Sequence, residues 1–249
     1  MKILITNDDG IKADGIKKLA KTFAESGNLV SVVAPERERS AAGHAITVHK
    51  PLRVSQVDSE GISYYAVSGT PADCVKLALE KLIEKPDIVI SGINRGANLG
   101  TDVLYSGTVS AAIEAALNGL PAIAVSIVSC QYPTYEAASA LTLKLAKIYL
   151  EKGLPKGTLL NVNVPNQPAN EIKGIKISKL GERKYINNFE KRTDPRGRVY
   201  YWMAGEVDDS NPEQGTDVWA VVNQFVSVTP IHFDLTNHYF LSELSKWEL

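Results

Sequence analysis

Cysteine and methionine are nearly absent from this chain of 249 residues, which has two of each. Cys74 and Cys130 stand apart in apolar surroundings. No Cys-x-x-Cys pair or Cys/His cluster offers a zinc site or a redox dithiol, and both cysteines read as reduced core residues. An excess of either charge is missing too: 27 basic residues face 28 acidic ones. That leaves no bulk positive field to draw in a nucleic-acid polymer or an anionic membrane, so small substrates fit better. Long apolar runs are lacking as well. The chain opens on Lys2 and three apolar residues before Thr6, too short for a signal-peptide core or a membrane span, and the expectation is a soluble, cytoplasmic protein. There is no internal repeat, no Gly-Lys-Ser or Gly-Lys-Thr of a Walker loop, and no Gly-x-Gly-x-x-Gly after the first strand. The last absence argues against an NAD-dependent oxidoreductase.

What is present is an alternation of short apolar strands and amphipathic helices, in a chain whose 44% apolar content can bury a sizeable core. Residues 2–6 read as a buried strand and 14–25 as a helix with Ile16, Leu19, Ala20 and Phe23 on one face. Strands follow at 29–34, 87–90, 122–127 and 158–164, and helices at 70–83, 106–118 and 135–150. Thr70 stands as N-cap before Pro71, and Gly119 closes the Ala-rich helix. Continuous apolar strands alternating with helices predict a parallel sheet covered on both faces, with ligands beyond the carboxyl ends of the strands. Two stretches break the pattern: 45–67, read as an antiparallel excursion including 46–49, and the region beyond Pro165, where 174–180, 199–203 and 218–228 read as strands of a β-rich arm.

The first strand runs directly into Asn7-Asp8-Asp9-Gly10. Adjacent carboxylates at the end of a buried strand repel each other unless a cation or a proton neutralises them, although an Asp-Asp-Gly also suits a plain strand-to-helix turn. Three further loops carry oxygen-bearing residues to the same rim: 35–44 with Ser40 and His44, 91–100 with Asn94 and Asn98, and 105–109 with Ser106, Gly107 and Thr108. Asp8, Asp9, a Ser hydroxyl and an Asn carbonyl make an all-oxygen set suited to a hard cation such as Mg²⁺ or Mn²⁺. Ser106, Gly107 and Thr108 open a helix whose unpaired amides would receive a phosphate, with Asn98 as a further donor; the alternative is an ordinary N-cap. The loop 91–100 holds three Gly and two Asn, more flexibility than packing would ask for. His44 is a candidate acid for a leaving alkoxide, and Ser106, His44 and Asp102 a weaker candidate triad without a Gly-x-Ser-x-Gly elbow. In the arm, basic residues from Arg183 to Arg198 lie among Tyr185, Phe189, Tyr200, Tyr201 and Trp202. Interleaved Glu182, Glu190 and Asp194 favour a protruding hairpin, for subunit contacts or for closing over a ligand, over nucleic-acid stacking.

These blocks together resemble the SurE (survival protein E) nucleotidases: Asn7-Asp8-Asp9-Gly10, Pro35 through Ser40-Ala41-Ala42-Gly43-His44, Gly69-Thr70-Pro71-Ala72-Asp73-Cys74-Val75, Ser91-Gly92-Ile93-Asn94, Tyr105-Ser106-Gly107-Thr108-Val109 and Ser227-Val228-Thr229-Pro230-Ile231. The resemblance implies a Rossmann-like three-layer α/β sandwich over residues 1–170 and a β-rich extension over 171–249 that serves in oligomerisation. It implies one divalent cation per subunit on the residues matching Asp8, Asp9, Ser40 and Asn94, hydrolysis of nucleoside monophosphates as a 5'-nucleotidase, with 3'-nucleotidase and exopolyphosphatase activity left open, and a homodimer or homotetramer built with carboxyl-terminal arms. Asn223-Gln224 departs from it, standing where a Gly is expected in the turn. Attack by a metal-activated water and by an Asp8 or Asp9 carboxylate both remain open, and a non-catalytic nucleotide sensor is the alternative from another class.

Overall fold

Ile3-Leu4-Ile5 leaves no polar residue to face water, and in the computed structural model, which describes residues 1–57, 61–129, 131, 133–186 and 189–247, this run is fully buried in the middle of a sheet. Cys130 lies outside the described residues, and Cys74 is buried. The strand β1 (Lys2–Thr6) leads to α1 (Asp14–Glu25), which buries Ile16, Leu19, Ala20 and Phe23 as the helical spacing requires. There follow β2 (Leu29–Pro35), β3 (Val54–Val57), β4 (Ser63–Val67), α2 (Pro71–Leu77), β5 (Ile88–Arg95), α3 (Gly107–Leu117), β6 (Ala122–Val128), α4 (Glu136–Lys152) and β7 (Thr158–Pro165). The carboxyl-terminal part holds β8 (Ile175–Ile177), β9 (Tyr185–Ile186), β10 (Phe189–Thr193), β11 (Val199–Met203), β12 (Glu206–Val207), α5 (Asp217–Val222), β13 (Val226–His232) and α6 (His238–Leu244).

One nine-stranded sheet has the order β3-β4-β2-β1-β5-β6-β7-β13-β8. Its six inner strands, β4 to β7 in that order, are parallel, while β3 and β13 run antiparallel to β4 and β7. Taken in chain order, the inner strands are arranged third, second, first, fourth, fifth, sixth, the doubly wound Rossmann arrangement. The order reverses between β1 and β5, so a crevice opens beyond the carboxyl ends of those two strands, where Thr6 lies beside Ser91. Alternation divides the core: Ile3 and Ile5 pack with Phe23 and Ala138 beneath α1 and α4, and Leu4 packs with Val75 and Ala112 beneath α2 and α3. Among the described residues no helix is long and apolar enough to cross a membrane.

Three local expectations are corrected. Residues 46–49 form no strand; Thr47 N–H instead donates to Asp73 Oδ1 (3.0 Å) and Ala45 C=O accepts from Thr70 Oγ1 (2.7 Å), so the segment caps α2 instead of extending the sheet. The stretch 70–83 begins as read, with Thr70 and Asp73 in a reciprocal capping box, but after Leu77 it widens into a π-helical turn over Ala78–Leu82. Val218 to Val222 belongs to α5, not to a strand: Thr216 caps it, and its start signal outweighs the β-branched composition because Val218 and Val221 pack against Leu99. The β-strand resumes only at Val226.

Candidate active site

Asn7, fully buried, turns the chain at the end of β1 by closing on Gly10: Gly10 N–H donates to Asn7 Oδ1 (3.1 Å) and Asn7 Nδ2 donates to Gly10 O (2.9 Å). That turn holds Asp8 and Asp9 at the reversal point. The loop after β2 is tied to the same place, because Arg39 N–H donates to Asp8 O (2.7 Å), which brings the next residue, Ser40, beside the doublet. The end of β5 arrives from the other side, with Arg95 N–H donating to Asp9 Oδ2 (3.1 Å) one residue after Asn94.

The amino terminus of α3 completes the group. Thr108 Oγ1 donates to Asp8 Oδ1, and Gly107 lies so close that a Cβ there would sit 2.8 Å from both Cβ and Oδ2 of Asp8. Glycine at 107 is therefore a requirement of close approach, not of turn geometry. Ser106 Oγ accepts from Val109 N–H (3.0 Å), so the ordinary N-cap is formed as well.

Burial pushes the Asp8 carboxyl up to about 6, against the lowering effect of the Thr108 hydrogen bond and with the Asp9 charge adding. Asp9 is raised by burial too, opposed by Arg95 and reinforced by Glu38. Two carboxylates withdrawn from water and, among the described residues, without an ion-paired cationic side chain form a site that accepts positive charge. The donor chemistry agrees: Asn94 donates from Nδ2 to Gly96 O (2.8 Å), which leaves its carbonyl oxygen for a ligand, and Ser40 donates its proton to Glu38 Oε1 (2.6 Å), which leaves its oxygen lone pairs. Among the described residues no group of three or more His, Cys, Asp or Glu surrounds a point, so hydroxyl, amide and water oxygens would fill the remaining positions of a hard cation.

The other candidates have different surroundings. His44 Nε2 pairs with Glu114 Oε2 (2.9 Å) on α3, and Lys76 approaches the second oxygen of the same carboxylate (3.4 Å). The His44 hydrogen bond holds the Glu114 carboxyl below its ordinary range. Asn98 is locked into the fold: its Nδ2 donates to Ser126 Oγ (2.7 Å), its N–H to Asn163 Oδ1 (2.8 Å), and its C=O accepts from Asn161 and Asn163. The triad of Ser106, His44 and Asp102 does not form, since Asp102 accepts from Tyr185 Oη (2.5 Å) and lies 3.5 Å from Arg183. Packing also accounts for glycines of the 91–100 loop that composition alone left unexplained: a Cβ on Gly92 would lie 2.3 Å from Val125 O, and one on Gly100 2.5 Å from Gly181 O. Gly100 N–H and Gly181 N–H both donate to the buried Asp217 carboxylate, at 2.8 Å each.

Arg95, Tyr135, Glu38 and Glu114 escaped the reading of the sequence. Arg95 carried a signal, being the only charged side chain in the loop that follows a buried strand; Tyr135 and Glu114 had none, because only the fold brings α4 to the rim and sets Glu114, two turns into α3, against His44. Burial raises the Tyr135 phenol, the Asp9 charge adds to the rise and the Arg95 charge opposes it.

Comparison with known proteins gives the chain a family. The family described as Survival protein SurE matches residues 3–187. The chain is 54% identical over 250 residues to 5'-nucleotidase SurE of Moorella thermoacetica, covering 99% of this chain and 96% of that protein. It is 56% identical over 256 residues to 5'-nucleotidase SurE of Natranaerobius thermophilus, covering 100% and 99%. The crystal structure of the SurE protein from Aquifex aeolicus superposes with a TM-score of 0.88 at 42% identity, over 98% of both chains. A chain with this strand order, this rim and likeness along almost its whole length belongs to the SurE family.

Proposed function

We propose that this protein is a metal-dependent nucleotidase that hydrolyses nucleoside monophosphates to nucleoside and phosphate. The observation that carries the reading is the contact of the buried Asp8 with Gly107 and Thr108, which joins a carboxylate pair short of positive charge to the amino terminus of α3. The names of the relatives, 5'-nucleotidases, support the 5' position of the phosphate. Asp8, Asp9, Ser40 and Asn94 would hold one Mg²⁺ or Mn²⁺, which when bound supplies Lewis acidity toward a phosphoryl oxygen. The start of α3 binds the phosphoryl oxygens through the positive end of the helix dipole and the Gly107 N–H, the Thr108 amide being engaged by Asp8 and the Val109 amide by Ser106. Thr108, by donating to Asp8, fixes the carboxylate's rotamer, and Asn7 fixes the turn on which both carboxylates ride. Preorganised charge stabilisation of this kind is the main resource of phosphoryl transfer.

Release of inorganic phosphate from AMP or GMP in Mn²⁺, measured with and without chelator, tests the reading. Turnover that stops with chelator and falls at least roughly a hundredfold in Asp8→Asn and in Asp9→Asn is expected. Tight nucleotide binding without phosphate release would point to a sensor instead.

We also infer that a second copy of the chain covers the ribbon of β10 and β11. The register sets Phe189 against Met203 and Lys191 against Tyr201 on one face, and Phe189, Tyr201 and Met203 are 64%, 61% and 81% exposed. A two-stranded ribbon with that face in water is marginal by itself. Sedimentation analysis of the intact chain tests it, and a monomer at micromolar concentration would reject it.

A further inference from the structure

The two carboxylates of the doublet face different partners. Asp8 meets Gly107 and Thr108 on the side of the sheet covered by α2 and α3, and Asp9 meets Arg95 at the end of β5. The register of β5 with β6 sets Arg95 beside Ile127, which belongs to the core beneath α1 and α4. Neighbouring residues of paired parallel strands share a face, so Arg95 leaves the sheet on the α1/α4 side. Tyr135, the residue before α4, stands there too, partly buried and within the influence of the Asp9 and Arg95 charges. Gly15 at the start of α1 wedges the arrangement: a Cβ on it would lie 2.2 Å from Ile93 O and 3.2 Å from Tyr135 Cε1. Helix, strand end and phenol ring are thus fixed against one another.

The Arg95 side chain is exposed, and among the described residues its guanidinium makes no ion pair or hydrogen bond. If the phosphoryl group lies against the amides of α3, the ester oxygen and all that it carries must leave on the other side of the doublet, past Asp9. That exit is the α1/α4 side. A guanidinium and a phenol ring on the same side of the sheet offer a flat aromatic leaving group both a stacking surface and donors. Guanidinium has only donors, so its in-plane match is an edge with two acceptors. Guanine and hypoxanthine present such an edge at O6 and N7, whereas adenine has a donor at the corresponding position.

We propose that Arg95, supported by Tyr135, binds the base of the leaving nucleoside and gives the enzyme a preference for 6-oxopurine nucleotides over adenine nucleotides. The assignment rests on the nucleotidase reading above and adds the substrate class to it.

Steady-state kcat/KM for GMP, AMP and phenyl phosphate, on the intact protein with Mn²⁺, tests it. The wild type should favour GMP over AMP, and Arg95→Ala should lower the GMP to phenyl phosphate ratio about tenfold, chiefly through KM, while bringing GMP and AMP level. Arg95→Lys should stay as low as Arg95→Ala, because an ammonium keeps the charge but loses the planar fork. A wild type that treats GMP and AMP alike, an unchanged ratio in Arg95→Ala, or full recovery in Arg95→Lys overturns the assignment while leaving the nucleotidase intact. Failure of the wild type to hydrolyse any of the three esters overturns the nucleotidase reading and the assignment with it, and the phenyl phosphate arm tells the two failures apart.

Discussion

The rim of the parallel sheet and the ribbon beyond residue 185 treat their side chains in opposite ways. At the rim, polar groups are buried: Asn7 and Thr108 are wholly inaccessible and Asp8 is 5% exposed, each with its partner in the same chain. On the ribbon, large apolar groups stand in water on a two-stranded sheet. A buried carboxylate is unfavourable unless a ligand or proton neutralises it, and an exposed apolar face is unfavourable unless a partner covers it. The charged ligand proposed for the rim and the second copy proposed for the ribbon would each relieve one of these costs. They are not independent, because Arg183 lies 3.1 Å from Asp209 and 3.5 Å from Asp102, and Tyr185 donates to Asp102 in the turn that precedes α3. Burial and the Asp102 hydrogen bond push the Tyr185 phenol up to about 12, so it remains a donor at any physiological pH.

The comparison is most sharply tested at the ribbon. Phe189→Ser with Met203→Ser removes a directly opposed apolar pair from the exposed face. Self-association measured by sedimentation should weaken roughly a hundredfold, the scale of losing about 3 kcal/mol of apolar contact, while the far-ultraviolet circular dichroism of the sheet and helices stays unchanged. Equal association constants for variant and wild type would remove the ribbon from the interface.

At the rim the corresponding test uses Asp8 without metal. A carboxyl raised above its ordinary value by burial destabilises the fold where it must be ionised, above pH 6, and that penalty fades as pH falls from about 6 toward 4. With chelator present, Asp8→Asn should exceed the wild type in stability by roughly 1–2 kcal/mol at pH 8, and the gap should close by pH 4. Urea denaturation at the two pH values measures it. A gap that widened on acidification would have the wrong sign for a desolvated carboxylate.

How much of this was legible in the sequence follows from which forces are local. The alternation of Ile3-Leu4-Ile5 with the 14–25 helix, the Thr70 cap and the Ser106 cap are determined within a few residues, and they appear where the sequence put them. The convergence of the Asp8-Asp9, Ser40 and Asn94 loops was legible because each follows a parallel strand, and strand ends share one edge. The pairing of His44 with Glu114 was not legible, because the partner is 70 residues away and nothing local marks the pair. The bonds from Asn161 and Asn163 on β7 to the Asn98 backbone were not legible either, since β7 lies far along the chain. Val218 to Val222 looked like a strand until Thr216 and the contact with Leu99 made it a helix. Glu114, Asn161, Asn163 and Leu99 are all distant in sequence from the residues they hold.

Gln224 shows the smallest of these conflicts and the easiest to correct. It follows the end of α5 with φ +67°, a left-handed conformation in which a side chain is unfavourable, at the position where the family resemblance calls for glycine. The backbone there is held on both sides: Gln224 N–H donates to Val221 O (2.9 Å), and its C=O accepts from Lys173 N–H (3.1 Å). The chain therefore cannot relax to a negative φ without losing the link between α5 and the strand that follows. Gln224→Gly removes the steric cost in the fold but also loosens the unfolded chain, and these oppose each other. Because a left-handed non-glycine residue costs about 1–2 kcal/mol and the entropy of glycine offsets only about half of that, a net gain of roughly 0.5 kcal/mol is expected. The urea midpoint of Gln224→Gly should rise slightly and that of Gln224→Val should fall, since a β-branched side chain tolerates positive φ least. A rise in both variants would mean that the side chain, and not the backbone angle, sets the stability of this turn.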